Sequence, residues 1–248
     1  MPHVMFYNRP EPLNKELHRA YKLDATLADP GFAAKTNSVP LAGMEFQHAA
    51  KEFPIVFLQM GDGSILAAAL LGVRGDENLF INRDGRWSST YVPAFVRRYP
   101  FILAENPNQP DQLTVCLDAD FPGFNTKTGE PLFQDDGEPT PLMSNTLRFL
   151  QEYQEGFRRT TQFIERLKAL DLLTPMTAQV EVSGSKFALQ GLLTVDEQKL
   201  LALDEPKAME LFRSGELGWI YSHLISLANI NRLANLLAAR NRDEGTPA

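Results

Sequence analysis

Apolar residues in the first half of the chain occur in short runs that match single strands in length. Pro54–Met60 and Ile65–Val73 are two such runs, and Gly61-Asp62-Gly63-Ser64 between them predicts a hairpin turn. Other runs predict strands at Asn78–Asn82, Phe101–Ala104 and Leu113–Asp118. Two further segments predict short helices, at Asn14–Leu23 and Met44–Glu52. This half therefore has the pattern of an antiparallel sheet.

Apolar residues in the second half recur at helical spacing. They predict a long helix at Ser144–Leu173 with Ser144 as its N-cap, and a last helix at Gly218–Arg240 that is buried on a wide arc. Two alternating segments, Ala178–Val182 and Phe187–Leu193, predict a second hairpin. Shorter helices are predicted from Thr194, as the cap, to Leu203 and from Pro206 onward.

The order of strands followed by helices favours an α+β fold over a doubly wound sheet. We predict an antiparallel strand-rich N-terminal half and a helical C-terminal half. One domain covers residues 1–248, with strands dominating 1–143, helices and one hairpin in 144–240, and a polar, frayed tail at 241–248.

Composition narrows the class of protein. The 248 residues carry a net charge of −7, and 44% of them are hydrophobic, as in ordinary soluble globular proteins. The negative charge disfavours nucleic acid as a partner, because such binding needs a basic face. No apolar run approaches the roughly 20 residues of a transmembrane helix, and no signal peptide is visible. We therefore expect a cytoplasmic protein, with the cell surface as the alternative.

The sequence matches none of the common catalytic and metal-binding patterns. The sequence lacks a phosphate-binding loop, a dinucleotide-binding glycine motif and a nucleophile elbow. Its histidines are isolated, and its one cysteine, Cys116, has apolar neighbours typical of a buried position. Asp118-Ala-Asp120 begins like a calcium loop, but Gly129 occupies the position that requires a bidentate glutamate. We expect no metal and no cofactor.

The most distinctive stretch is Asn78–Phe101, which combines four arginines with large aromatic residues around an Asp84-Gly85 turn. Guanidinium groups bind carboxylates and phosphates, and aromatic rings assist by stacking. The alternative is that these arginines maintain the fold or face the acidic segment Glu105–Glu138. The candidate ligand-binding residues are Arg83, Arg86, Trp87, Tyr91, Arg97, Arg98 and Tyr99.

Several short motifs give the chain a resemblance to the SapC family of bacterial proteins. They are Asn78-Leu-Phe, Asp84-Gly85-Arg86-Trp87, Tyr91-Val-Pro93-Ala, Arg97-Arg98-Tyr99-Pro100-Phe101, Val39-Pro40, Glu45-Phe46, Phe53-Pro54-Ile55-Val56-Phe57, Leu132-Phe133 and Gly137-Glu138-Pro139. The resemblance extends over roughly residues 5 to 237. It implies a link with bacterial surface layers and serum resistance, and with genes for outer-membrane receptors and flavin-dependent halogenase-like proteins. It supplies no catalytic residues.

We therefore expect a non-catalytic binding or accessory protein of envelope or nutrient-uptake pathways that recognises a peptide or protein partner. Two alternatives stay open. One is a component of a surface layer, which would self-assemble outside the cell. The other is an enzyme, or an accessory subunit of an oxidative modifying system, which would copurify with a cofactor or show turnover. The oligomeric state is left open by the sequence.

Overall fold

The computed structural model describes residues 5–106, 109–182 and 184–245. Its strands are β1 (Pro10–Pro12), β2 (Lys22–Leu23), β3 (Ser38–Pro40), β4 (Ile55–Gln59), β5 (Ile65–Leu70), β6 (Phe101–Asn106), β7 (Gln109–Asp118), β8 (Phe124–Asn125), β9 (Glu130–Pro131), β10 (Leu173–Val182) and β11 (Ser185–Val195). Its helices are α1 (Phe46–Ala49), α2 (Ala94–Arg97), α3 (Pro141–Ala169), α4 (Glu197–Leu201), α5 (Glu205–Ser214), α6 (Glu216–Ser226) and α7 (Ile230–Gly245). Short 3₁₀ helices are present at Ala25–Leu27, Pro30–Ala33, Gly43–Glu45 and Leu227–Asn229.

Internal contacts divide the described residues into two units, each made of two stretches of chain. The first unit combines the residues up to Phe32 with Val96–Glu155. The second unit combines Ala33–Phe95 with the residues from Gly156 onward. The prediction that the whole chain acts as one domain stays a prediction.

The second unit is built on a five-stranded antiparallel sheet in the order β10-β11-β4-β5-β3. Its β4–β5 hairpin pairs Ile55 with Ala69 and Gln59 with Ile65. The rings of Phe46 and Phe57 both contact that of Phe163 on α3, and all three side chains are fully buried. Burial of such rings is the main force that holds a helix against a sheet.

The first unit contains two three-stranded antiparallel sheets, β1-β7-β6 and β8-β2-β9. Its largest apolar cluster includes Phe101 on β6, Leu117 on β7 and Leu132 after β9, which are all buried. Met143 and Leu150 on α3 complete this cluster. Cys116 is buried beside Tyr7 and Ile102, as its apolar neighbours predict.

The α+β class is confirmed by this mixture of antiparallel sheets and helices. Both predicted hairpins are present, as β4–β5 and β10–β11, and the helix predicted at Met44–Glu52 is present as a 3₁₀ turn followed by α1. The last helix is interrupted at Leu227–Asn229, and α7 continues to Gly245. Residues 241–245 of the predicted frayed tail are therefore helical, and residues 246–248 lie outside the described part of the chain.

Two predicted helix caps are wrong. Helix α3 begins at Pro141, and the Thr140 hydroxyl accepts a hydrogen bond from the Met143 amide, so Ser144 lies inside the first turn. Proline at the first helical position is a start signal that outweighs the serine. Thr194 belongs to β11, and Asp196 caps α4 by accepting from the amides of Gln198 and Lys199.

Two predicted elements are also wrong. At Asn14–Leu23, the Asn14 side chain accepts from the amides of Glu16 and Leu17, which favours turns over a helix, and the last two residues form β2. At Asn78–Asn82, a single bridge between Ile81 and Trp87 replaces the predicted strand.

Candidate functional site

Arg83 and Arg86 flank a tight turn in the second unit. Gly85 has a φ of 79°, the left-handed conformation that the Asp84-Gly85 pair predicts. The Asn82 amide donates to the Arg86 carbonyl at 2.9 Å, and the Asn82 side chain accepts from the Arg86 amide at 2.8 Å. Both arginine side chains are exposed. Within residues 5–106, 109–182 and 184–245, no hydrogen bond or ion pair holds either guanidinium.

Trp87 anchors this turn to the core of the second unit. Its ring contacts Phe53 edge-on and stacks on Phe80, with centroids 6.2 and 6.3 Å apart. The indole nitrogen donates a hydrogen bond of 2.9 Å to the Tyr91 carbonyl. Trp87 therefore connects the turn to the irregular segment that follows it.

Glu52 fixes that irregular segment through hydrogen bonds to its carboxylate. Its buried carboxylate accepts hydrogen bonds from the hydroxyls of Ser89 and Thr90 and from the amides of Thr90 and Tyr91. Arg232 on α7 approaches the same carboxylate at 3.3 Å. Burial alone raises the pKa of Glu52, but the hydroxyl donors and the Arg232 charge outweigh it and lower the pKa below its usual range. The side chain is therefore an ionised anchor.

Glu45 holds the following part of the same segment, at Tyr91 and Ala94. One of its oxygens accepts from the Tyr91 hydroxyl and the Ala94 amide, each at 2.7 Å, and the other accepts from the Ala42 amide at 3.0 Å. The ring of His48 stacks on Tyr91 with an interplanar angle of 16°. Two buried carboxylates thus hold a segment that has no strand or long helix of its own.

Arg97, Arg98 and Tyr99 belong to the first unit. The Arg97 guanidinium lies 5.1 Å from the centre of the Phe149 ring, and Arg97 itself is exposed. Arg98 is half-buried, with its guanidinium 6.0 Å from the centre of the Tyr7 ring and 5.5 Å from that of Tyr153. Such cation–π contacts stabilise a fold by about 0.5–1 kcal/mol each at partly exposed sites.

Asp118 organises the surroundings of Tyr99. This fully buried carboxylate accepts from the Tyr99 hydroxyl at 3.1 Å and from the amides of Asn8 and Arg9 at 3.1 and 2.8 Å. Burial and the nearby Asp118 charge raise the pKa of Tyr99 above its ordinary value. Burial also raises the pKa of Tyr7, whose hydroxyl donates to the Phe101 carbonyl at 2.6 Å. These phenols therefore stay neutral and act as hydrogen-bond donors.

The structure thus separates the predicted ligand-binding residues into groups with different surroundings. Arg83 and Arg86 are exposed at a turn, and Trp87 and Tyr91 are half-buried and hold that turn and its continuation. Arg97, Arg98 and Tyr99 lie in the other unit. Whether any of them contacts a ligand stays a prediction.

Sequence reasoning missed Glu45 and Glu52 as the residues that hold the irregular segment after the turn. The available signal was their position, because these two acidic residues are seven apart, on either side of α1, in which Phe46 and Ala49 are buried. Acidic residues in an apolar segment are buried only when donors surround them.

His223 is a further buried polar group of the second unit with several hydrogen-bond partners. Its Nδ1 donates to the Ile55 carbonyl at 2.8 Å, and its Nε2 accepts from the Val195 amide at 3.1 Å and contacts the Thr194 hydroxyl at 3.0 Å. Burial lowers the pKa of His223 to about 4, although the bond to Ile55 opposes this shift. The imidazole is therefore neutral and ties strand β4 to strand β11.

The described part of the chain contains neither a metal-binding cluster nor a membrane-spanning helix. The described ranges hold no group of three or more His, Cys, Asp or Glu side chains with the spacing of a metal site. Over the same ranges, every helix is too short or too polar to span a bilayer.

Comparison with known proteins gives one match. No curated protein and no solved structure matches the chain. The family model for SapC matches residues 13–233, which is most of the chain. The chain belongs to the SapC family.

Proposed function

We propose that this protein acts by binding rather than by catalysis, and that it recognises an acidic region of a peptide or protein partner in bacterial envelope or nutrient-uptake pathways. The observation that carries the proposal is the Arg83–Arg86 turn. It presents two exposed guanidinium groups that the described part of the chain leaves without an acidic partner.

The rigidity of the turn supports a role in recognition. A loop that is already fixed loses less conformational entropy when it binds than a mobile one does. Trp87 and the carboxylates of Glu45 and Glu52 hold this segment through packing and hydrogen bonds. Burying two carboxylates is costly unless their donors are in place, so the arrangement commits the segment to one conformation.

The charge of the turn supports an acidic partner. The chain has a net charge of −7, so long-range repulsion opposes the approach of acidic molecules in general. Two neighbouring guanidiniums provide a local exception, and a guanidinium binds a carboxylate through two parallel hydrogen bonds. An interaction of this kind weakens as salt concentration rises.

The test is a quantitative copurification from cells that naturally contain the protein. Three tagged forms are compared by mass spectrometry: the unchanged chain, the double variant Arg83→Gln/Arg86→Gln, and the matched control Arg148→Gln/Arg213→Gln. The control removes the same charge from exposed arginines elsewhere on the chain.

The proposal expects one stoichiometric partner with the unchanged chain and with the control, and a loss of about tenfold or more with the Arg83/Arg86 variant. Equal recovery of every protein with all three forms would contradict it. Recovery of an extracellular assembly of the chain with itself would favour the surface-layer alternative, and a copurified cofactor with turnover would favour the enzyme.

A further inference from the structure

An apolar cavity of about 310 Å³ in the second unit is lined by residues of the β4–β5 hairpin and of α3. Among the described residues no charged side chain lines it, and most of the lining side chains are apolar, including Met60 and Ile164. The three lining hydroxyls each donate to an oxygen of the protein itself; they are those of Ser64, Thr160 and Thr161. The cavity therefore favours an uncharged, apolar group.

The backbone of Ile65, at the start of β5, points away from β4. The Met60 amide donates to the Ser64 carbonyl at 2.8 Å, and the Leu70 amide donates to the Pro54 carbonyl at 2.9 Å. Only alternate residues of an antiparallel strand exchange hydrogen bonds with a given neighbour, so the even-numbered residues of β5 bond to β4. The amide and the carbonyl of Ile65 are therefore directed to the opposite edge of β5.

Strand β3, which pairs with that opposite edge, ends before it reaches Ile65. Its last pair joins Pro40 to Ala68. Continuation of this register would place Gly43 opposite Ile65, but Gly43 begins a 3₁₀ helix and its amide donates to the Thr160 hydroxyl at 2.7 Å. Within the described part of the chain, the amide and the carbonyl of Ile65 have no hydrogen-bond partner. Strand β5 thus presents an unpaired donor and an unpaired acceptor at a sheet edge.

The cavity lies on the face of the sheet to which Ile65 contributes its side chain. Phe57 pairs with Ala67 across the β4–β5 hairpin, and its ring contacts that of Phe163 on α3. Directly paired residues share a face, and so do residues two apart in one strand, so Ile65 also faces α3. A residue added opposite Ile65 at the free edge would direct its side chain to the same face, where Ile65, Ala67 and α3 line the cavity.

We propose that this edge binds an extended peptide segment, which adds as a short strand beside Ile65 and places one apolar side chain in the cavity. The peptide residue opposite Ile65 accepts from the Ile65 amide and donates to the Ile65 carbonyl. Strand addition gains affinity from main-chain hydrogen bonds and specificity from side-chain pockets. The free donor and acceptor favour a peptide over a lipid, because an alkyl chain satisfies neither group. The proposal does not depend on the Arg83–Arg86 turn.

The test follows backbone amide resonances of the ¹⁵N-labelled full chain during titration with blocked pentapeptides. The probes have the sequence acetyl-Ser-Thr-X-Thr-Ser-amide, in which X is leucine, phenylalanine or alanine. The matched control is the leucine peptide with an N-methyl group on its central nitrogen, which removes the donor to the Ile65 carbonyl. We expect saturable shifts at residues 64–67 and 157–164 with the leucine or the phenylalanine peptide. The alanine and N-methyl peptides should bind about tenfold more weakly or worse.

Variants place the binding at this edge and this cavity. Thr161→Lys, at an exposed lining residue, adds a charge at the cavity and should weaken binding of the leucine peptide by about tenfold or more. Gln162→Lys adds the same charge at the next exposed position of α3, outside the lining, and should alter affinity by less than about threefold. Ile65→Pro removes the amide donor at an edge position, where proline is tolerated, and provides the same test if the Thr161 variant does not fold.

Several outcomes would overturn the proposal. They are the absence of saturable shifts with the leucine and phenylalanine peptides, equal binding of the N-methyl peptide, and equal affinity of the Thr161 and Gln162 variants. Dodecanoate is titrated in parallel, and shifts at the same residues with dodecanoate alone would assign the cavity to an alkyl chain and overturn strand addition. Because the copurification experiment changes other residues, either proposal can fail while the other stands.

Discussion

The two units use buried carboxylates in different ways to fix chain that has little secondary structure. In the first unit, the single carboxylate of Asp118 accepts hydrogen bonds from three backbone amides and from the Tyr99 hydroxyl. In the second unit, two carboxylates hold a longer segment: Glu52 accepts hydrogen bonds at its start and Glu45 at its end. Glu52 also forms an ion pair with Arg232. In both units, the acidic and aromatic side chains near the arginines stabilise the fold. A binding partner would therefore contact the exposed guanidinium groups and not these side chains.

The largest effect should come from Glu52→Ala. The change leaves several buried donors and the Arg232 guanidinium without their acceptor, so we expect the free energy of unfolding to fall by about 3–5 kcal/mol. Urea denaturation measures it. Glu165→Ala is the control, because its partner Lys168 forms an exposed pair, and it should cost less than about 1 kcal/mol. Equal losses of unfolding free energy in the two variants would contradict the role of Glu52 as a buried anchor.

A second effect concerns pH and the buried imidazole of the second unit. The pKa of His223 falls from 6.5 to about 4 on folding, so below pH 6.5 the unfolded chain takes up a proton that the folded chain refuses. Stability due to this group is complete above pH 6.5 and is lost as the pH falls to 4, by about 3 kcal/mol in total.

Denaturation of the unchanged chain and of His223→Gln across this pH range isolates that contribution. The variant should be less stable at pH 7, and the difference between the two should shrink by about 3 kcal/mol towards pH 4. A difference that is constant with pH would show that His223 does not titrate as its burial requires.

Asp118→Asn should have an intermediate effect. The amide keeps one acceptor oxygen but loses the charge that strengthens the bonds from Asn8 and Arg9, so we expect a loss of about 1–2 kcal/mol. Hydrogen exchange should accelerate at the Asn8 and Arg9 amides. Asp120→Asn, at the exposed pair with Arg9, should change stability by less than about 0.5 kcal/mol. A loss of unfolding free energy as large as that of Glu52→Ala would contradict the difference drawn between the carboxylates of the two units.

The smallest effect on stability should come from Arg83→Gln/Arg86→Gln. Both side chains are exposed and form no ion pair within the described residues, so the free energy of unfolding should change by less than about 0.5 kcal/mol. Thermal denaturation measures it. A larger loss would mean that these arginines maintain the fold, and it would remove the main reason to regard them as contacts.

Elements with strong periodicity were predictable from the sequence. The β4–β5 and β10–β11 hairpins follow from apolar runs around glycine turns, and the core face of α3 follows from Leu150, Tyr153, Ile164 and Leu167, which are all buried. The turn at Gly85 also followed from its residue types. These features depend on local chemistry that a sequence displays directly.

Other features depend on partners that are distant in the sequence. Asn78 looks like the start of a strand, yet its side chain bonds the Ala33 carbonyl and the Phe80 amide and holds an irregular segment instead. Glu52 is separated from Thr90 by 38 positions, so nothing local identifies it as the acceptor for that segment. The stretch Asn78–Phe101 is divided between the two units for the same reason. Units are defined by contacts between residues that are distant in the sequence, and residue spacing does not reveal such contacts.

The most direct test of the binding account is a footprint of the arginines with phenylglyoxal, which modifies exposed guanidiniums. Mass spectrometry would compare the purified chain with the same chain in native cell extract, and Arg213 on α5 would serve as an exposed reference. The account predicts that Arg83 and Arg86 react in the purified chain and are protected in the extract, while Arg213 reacts equally in both. Equal modification of all three residues in both samples would contradict it.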